Sequence, residues 1–150
     1  MTLLMSFGFS LQQCHEGTGW CFDQQTEQAF YFFHKDAVTF NYEFSSSVLD
    51  SGDVIGLFKD DQCVGYYEID PQAIANSSDV ITLPMMGSAE PGDGYLESGE
   101  VPSFIFYDES VNITVCANIS GVDSLEGFGN LSMHSYHGID DTCLLYTSDA

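Results

Sequence analysis

The sequence predicts an all-β chain, an antiparallel β-sandwich of seven to eight short strands, immunoglobulin-like or jelly-roll-like. Three observations carry that expectation. Apolar and polar residues alternate with period two over 38–44 and again over 111–119, the signature of strands with one buried face. Phenylalanine and tyrosine are abundant, with 12 Phe and 8 Tyr, and aromatic side chains suit a pleated, half-buried surface. Short apolar runs are separated by clusters of Gly, Pro, Ser and Asp, which punctuate strands rather than helices. No window shows a helical period.

Taken in order, residues 1–23 mix Gly17, Gly19, Cys14, Cys21 and the single Trp20, and read as a loop or the tail of a preceding unit. A sandwich module is expected over 24–137. The run QAFYFFH at 28–34 is its first strand. In 38–44, Val38, Phe40, Tyr42 and Phe44 share one face. Ser45, Ser46 and Ser47 are turn chemistry. The run VIGLF at 54–58 is apolar on both faces, as in a central strand. It is followed by the polar loop 59–62 and the strand 63–69, together a β-hairpin. Pro71 stops it, because proline cannot donate to a ladder. Strands are also expected at 80–85, 102–107 and 131–136. In 111–119, Val111, Ile113, Val115, Ala117 and Ile119 are expected on one face. Residues 138–150 read as a disordered tail.

An internal echo links LDSGDV at 49–54 to LESGEV at 96–101. In each, an acidic turn with glycine launches an apolar strand, since glycine supplies the positive φ a tight turn needs.

Charge narrows the partners. Against 23 Asp plus Glu stand only 2 Lys plus Arg, and the net charge is −21. A nucleic-acid ligand requires cations to displace its counterions, so neither nucleic acid nor an anionic membrane surface is an expected partner. No apolar run reaches the roughly 18 residues of a spanning helix, so no membrane insertion is expected. Such a charge repels itself and favours salt or bound cations. Ca²⁺ is therefore the cofactor weighed, since it takes six to eight oxygen ligands from carboxylates and loop carbonyls. The candidate ligands are Asp50 with Asp53, Asp60 with Asp61, and Glu90, Asp93 and Glu97, although no segment matches a complete calcium-loop spacing.

Five cysteines are present. Cys14 and Cys21 are close enough in sequence for a loop-closing disulfide. The segment CLLYTSDA, Cys143 to Ala150, resembles a translated sequencing adaptor, as at the end of an environmental, metagenomic fragment. The natural chain is then expected to continue differently after about Thr142, and four cysteines remain, with three possible pairings. Sequons stand at Asn76, Asn112, Asn118 and Asn130.

No nucleophile elbow or cysteine signature is present, and the chain is not expected to be an enzyme. Trp20, Tyr66, Tyr67 and Tyr95 are candidates for a sugar-stacking platform, with core packing the alternative.

The segment GDVIGLFKDDQCVG (52–65), the run QAFYFF (28–33), LPMMG (83–87) and GYLESGEVPSFIFYD (94–108) together resemble a repeat module of large secreted or cell-surface proteins from marine bacterial and environmental sequences. The resemblance covers about residues 24–117. It implies a β-sandwich in a multidomain surface protein, outside the cell, beside neighbouring domains of the same chain. It carries over no catalytic or binding residue. The function expected is a non-catalytic adhesion or spacer module, whose partners could include glycans or another surface protein. The alternative is a carbohydrate-binding accessory module of a secreted polysaccharide-degrading enzyme.

Overall fold

The run VIGLF at 54–58 is buried at every position, and the architecture explains why: this strand is the middle of three layers. The computed structural model describes residues 12–34, 38–42, 45–48, 50–70, 72, 80–118, 126–136 and 139–147. Every regular element longer than one residue among them is a β-strand. In chain order these are β1 (Gln12–Cys14), β2 (Cys21–Asp23), β3 (Gln28–His34), β4 (Val38–Tyr42), β5 (Ser45–Val48), β6 (Val54–Lys59), β7 (Gln62–Glu68), β8 (Val80–Met86), β9 (Ser103–Asp108), β10 (Ile113–Asn118), β11 (Met133–Tyr136) and β12 (Ile139–Thr147).

They form a seven-stranded sheet of order β5-β4-β12-β10-β9-β6-β7, a three-stranded sheet β11-β3-β8, and the small hairpin β1-β2. The chain is all-β and sandwich-like. Two pairings, β3 with β11 and β4 with β12, are parallel, which departs from the wholly antiparallel expectation. The partners in each are about a hundred residues apart in sequence, so no tight turn constrains their direction.

The core lies between the two larger sheets. Ile55 and Leu57 of β6 stand opposite Phe106 and Phe104 of β9. They pack in one cluster with Ala29 and Tyr31 of β3 and Ile81, Leu83 and Met85 of β8. The Tyr31 and Phe104 rings meet at 5.7 Å, within the range of favourable aromatic pairs. At Gly65 the sheets come too close for a side chain. A Cβ there would land on the Pro84 carbonyl oxygen. The other face of β6 is covered by the β1-β2 hairpin. A Cβ at Gly56 would meet the Trp20 ring at 2.7 Å, and Trp20 stands edge-on to Phe58 at 5.2 Å.

Four further expectations change. Residues 12–23 are not a detached tail: they hold the hairpin, and Phe22 is in the core cluster. Ser45, Ser46 and Ser47 extend β5, each paired with β4. Val111 lies in the turn before β10 and is 53% exposed, because the left-handed Asn112 (φ 54°) starts the strand only at Ile113. The stretch 138–150 contains β12, paired antiparallel with β10. The side-chain alternation expected for 38–44 and 115–119 falls outside the described residues.

The echo at 49–54 and 96–101 is structural. Asp53 N–H donates to Asp50 O at 3.1 Å, and Glu100 N–H to Glu97 O at 3.0 Å. The third turn residue is a positive-φ glycine each time, Gly52 (91°) and Gly99 (87°), as a type II turn requires. In both, the fourth residue's carboxylate also accepts the first residue's N–H, at 2.7 Å for Asp53 and 2.8 Å for Glu100.

Gly65→Ala is expected to cost roughly 3 kcal/mol or more, because backbone rather than a movable side chain opposes the new methyl group. A urea denaturation curve with its midpoint unchanged from wild type would contradict this packing.

Candidate functional site

The hairpin that covers β6 also builds a cleft. Cys14 and Cys21 face each other across β1-β2 and are joined by a disulfide with a Cα separation of 4.1 Å. The loop it closes is tied internally. His15 N–H donates to Trp20 O, and Gly19 N–H donates to His15 O, both at 2.8 Å. The Thr18 hydroxyl oxygen accepts from Trp20 N–H at 3.2 Å. Both the Thr18 N–H and its hydroxyl then reach His15 Nδ1, at 3.1 and 2.9 Å. An Nδ1 that accepts from a backbone N–H carries no proton, so in the neutral ring the hydrogen sits on Nε2.

That ring is wedged edge-on against Tyr66 of β7 and Tyr107 of β9, at 5.7 and 6.3 Å. Its side chain is 11% exposed, and Nε2 lies 3.8 Å from a carboxylate oxygen of Glu68. Around it opens a cleft of about 490 Å³, lined by His15, Glu16, Tyr66, Glu68, Tyr107 and Glu109 together with Cys14 and the turn glycines.

Asp53 stands behind Gly52 and Glu109, two of the residues that line the cleft. It is 2% exposed. Its carboxylate accepts from Asp50 N–H and, at 3.1 Å, from Glu109 N–H, which ties the 50–53 turn to the turn after β9. The Glu109 side chain rests over Gly52, 3.4 Å from where a Cβ would stand. Burial pushes the Asp53 carboxyl above its ordinary range. The two amides pull the other way, and the nearby Asp108 and Asp50 carboxylates add to the rise. Asp108, also buried, accepts from the amide and hydroxyl of Ser110 at 3.0 and 2.6 Å.

The seven calcium candidates lie in three separate connections, β5-β6, β6-β7 and β8-β9. Asp50 is exposed and caps Ser51 N–H. Asp60 and Asp61 are exposed at the tip of the β6-β7 hairpin, where Asp60 has φ 52°. Asp93 accepts from Ala89, Glu90 and Tyr95 N–H. Desolvation is the largest single influence and raises its carboxyl, but these amides and the Ser88 hydroxyl together outweigh it and hold the carboxyl below the usual range. Glu90 and Glu97 are exposed in the same loop. Among the described residues, no three His, Cys, Asp or Glu side chains are grouped so as to hold a metal ion. The Asp53 and Asp93 carboxylates are spent on turn amides, which are the donors closest to hand in acidic loops.

The aromatic candidates are absorbed likewise. Tyr95 is buried, and its hydroxyl accepts from Asp23 N–H at 2.8 Å. Lys59 donates to the Tyr95 carbonyl and to Glu100, at 2.9 and 2.7 Å, so the 87–101 loop is pinned to β6. Trp20, Tyr66 and Tyr67 are half-buried against the core. Of the sequons, Asn112 and Asn130 are exposed. The Asn112 side-chain oxygen accepts from the Tyr107 hydroxyl and that of Asn130 from Gln28 N–H. Asn76 lies outside the described residues. Cys63 is a buried free thiol, pushed up to about 11 by burial, and has the character of a core residue.

Reading the sequence alone missed His15, Glu16, Glu68, Tyr107 and Glu109. The usable signal was CHEGTGWC at 14–21. Two cysteines bracketing a His and a Thr make a closed loop whose polar groups must satisfy one another.

Replacing Cys14 and Cys21 with serine is expected to lower stability by about 2–3 kcal/mol, the scale of closing so short a loop, and to free the hairpin. An unchanged urea midpoint relative to the oxidised wild type would contradict that. Melting temperature is expected to rise with NaCl, as screening weakens the repulsion among 23 acidic side chains. Millimolar CaCl₂ should add no more than NaCl at matched ionic strength, and a larger calcium shift, reversed by chelator, would restore a site. No family model, curated protein or solved structure matches the chain.

Proposed function

We propose that this chain is a non-catalytic extracellular module, used for adhesion or as a spacer within a multidomain surface protein. The observation that carries the reading is how the aromatic residues are spent. Phe22, Tyr31, Phe58, Tyr95, Phe104, Phe106, Tyr107 and Phe128 are buried. The large apolar side chains that stand exposed among the described residues are Val101, Val111, Leu131 and Met133, none of them aromatic. A flat stacking platform needs rings at the surface; a spacer needs them inside. This distribution supports the spacer over a carbohydrate platform.

Two further features support the setting. A disulfide persists in oxidising compartments and is rare where thiols are kept reduced. A net charge of −21 keeps a module soluble and apart from its neighbours outside the cell. The buried carboxylates Asp53 and Asp108 hold turn amides rather than face each other across an open cleft, which supports a non-catalytic role. On this reading the partners are neighbouring domains of the same chain, and glycans or another surface protein where the module adheres.

An antibody raised against the folded module is expected to label intact, unpermeabilised cells that produce the protein. Label appearing only after permeabilisation would overturn the extracellular reading. Turnover of simple ester, glycoside or peptide substrates by the purified chain would overturn the non-catalytic one.

A further inference from the structure

We propose that the cleft beside the disulfide-closed hairpin binds one neutral pyranose ring, through a sugar hydroxyl bridging His15 and Glu68. This goes beyond the structural role above and does not depend on it.

The starting observation is an unused donor. His15 Nδ1 is saturated by Thr18, so Nε2–H is the ring's remaining polar group. It lines the cleft on a side chain only 11% exposed. Among the described residues no acceptor lies within hydrogen-bond distance of it, and Glu68 at 3.8 Å is too far. The donor faces the open cleft rather than a sealed interior, so an oxygen from outside the chain, that of a water or of a ligand hydroxyl, is free to take it.

The gap has the dimensions of one oxygen atom. An oxygen placed about 2.8 Å from both Nε2 and the Glu68 carboxylate fits across their 3.8 Å separation. It must accept from the first and donate to the second. A hydroxyl does both at once, whereas a carbonyl, an ammonium or a carboxylate does only one. Further acceptors, Glu16 and Glu109, line the same cleft, and the Tyr66 and Tyr107 rings supply apolar wall. A ligand rich in hydroxyls around a small apolar body meets that set. The volume, about 490 Å³, is within the roughly 300–1,000 Å³ of small-ligand clefts.

Charge then selects among sugars. Three carboxylates, with no Lys or Arg beside them among the described residues, repel uronates and sulfated rings at close range, so the ligand is uncharged. The recess is a pocket for one ring, which accords with the burial of the rings that would have made an extended platform.

The oxidised chain can be titrated with methyl glycosides of glucose, galactose, mannose and N-acetylglucosamine, with glucuronate as the anionic comparator, while the His15 Cε1–H resonance is followed. That resonance is identified by its loss in His15→Phe. At least one neutral glycoside is expected to shift it saturably, and glucuronate is not. Affinity measured by calorimetry should fall roughly tenfold or more in both Glu68→Ala and His15→Phe, the scale of a lost hydrogen bond to a charged group. Glu90→Ala, outside the cleft, should bind as wild type does. Glu68 is 56% exposed, so its replacement leaves the fold standing even if His15→Phe does not. The proposal is overturned if no neutral glycoside shifts the resonance, as when water alone fills the gap. It is also overturned if glucuronate binds equally well, or if Glu68→Ala binds as tightly as wild type. A blank panel on a folded, surface-exposed chain removes the sugar site and leaves the spacer reading intact.

Discussion

The contact on which the arrangement depends is the Trp20 ring laid over Gly56. The strand β6 carries apolar side chains on both faces, and each face must leave water. The inner face is covered by the β11-β3-β8 sheet, which touches it through Ile55 and Leu57. Among the described residues the outer face has only the two-stranded β1-β2 sheet against it. It is covered by a hairpin of three-residue strands, held shut by one disulfide, whose tryptophan needs the flat space that a glycine leaves. A hairpin this short is marginal by itself. Its stability is borrowed from the ring it lays on the sheet and from the bond that keeps its two strands together.

The excess of acid is handled by the same economy of local partners. With 2 basic residues for 23 acidic ones, ion pairing can neutralise little. Carboxylates are instead matched with backbone amides in turns. The two echoing turns make this plain, since each uses an acidic fourth residue to accept the amide three positions earlier. They differ in the second partner each carboxylate takes. Asp53 is buried and reaches on to Glu109, tying β6 to the end of β9. Glu100 is at the surface and takes Lys59 instead. One local motif thus anchors a cleft wall in one place and a loop in another.

Much of the fold was legible in the sequence, and the limits have physical causes. The all-β class followed from patterning, and 54–58 read as a central strand because only a strand buried on both faces is apolar throughout. The β6-β7 hairpin was legible from the polar residues between two apolar runs. Its register shift between Leu57 and Phe58 was not, because a bulge is set by cross-strand packing rather than by local propensity. The parallel pairings were beyond reach for a related reason: strand direction is decided by partners far away in sequence. The hairpin β1-β2 was misread because three-residue strands carry no measurable periodicity. For the site, Tyr66 and the Cys14–Cys21 bond were visible in advance, but His15 and Glu68 were not. They lie far apart along the chain, and only the docking of the hairpin brings them together.

That docking makes the cleft conditional in a way its individual residues do not reveal. His15 is aimed by Thr18, Thr18 is placed by the closed loop, and the loop is closed by the bond between Cys14 and Cys21. On the opposite wall, Glu109 is aimed by Asp53, which is buried at the start of β6. The two walls meet only because Trp20 and Phe22 seat the hairpin over β6 and β7. Losing the disulfide would therefore loosen the cleft as well as lower stability, although neither cysteine stands in the core between the larger sheets. The outer layer is consequently the part of this molecule whose chemistry can change while its fold is retained.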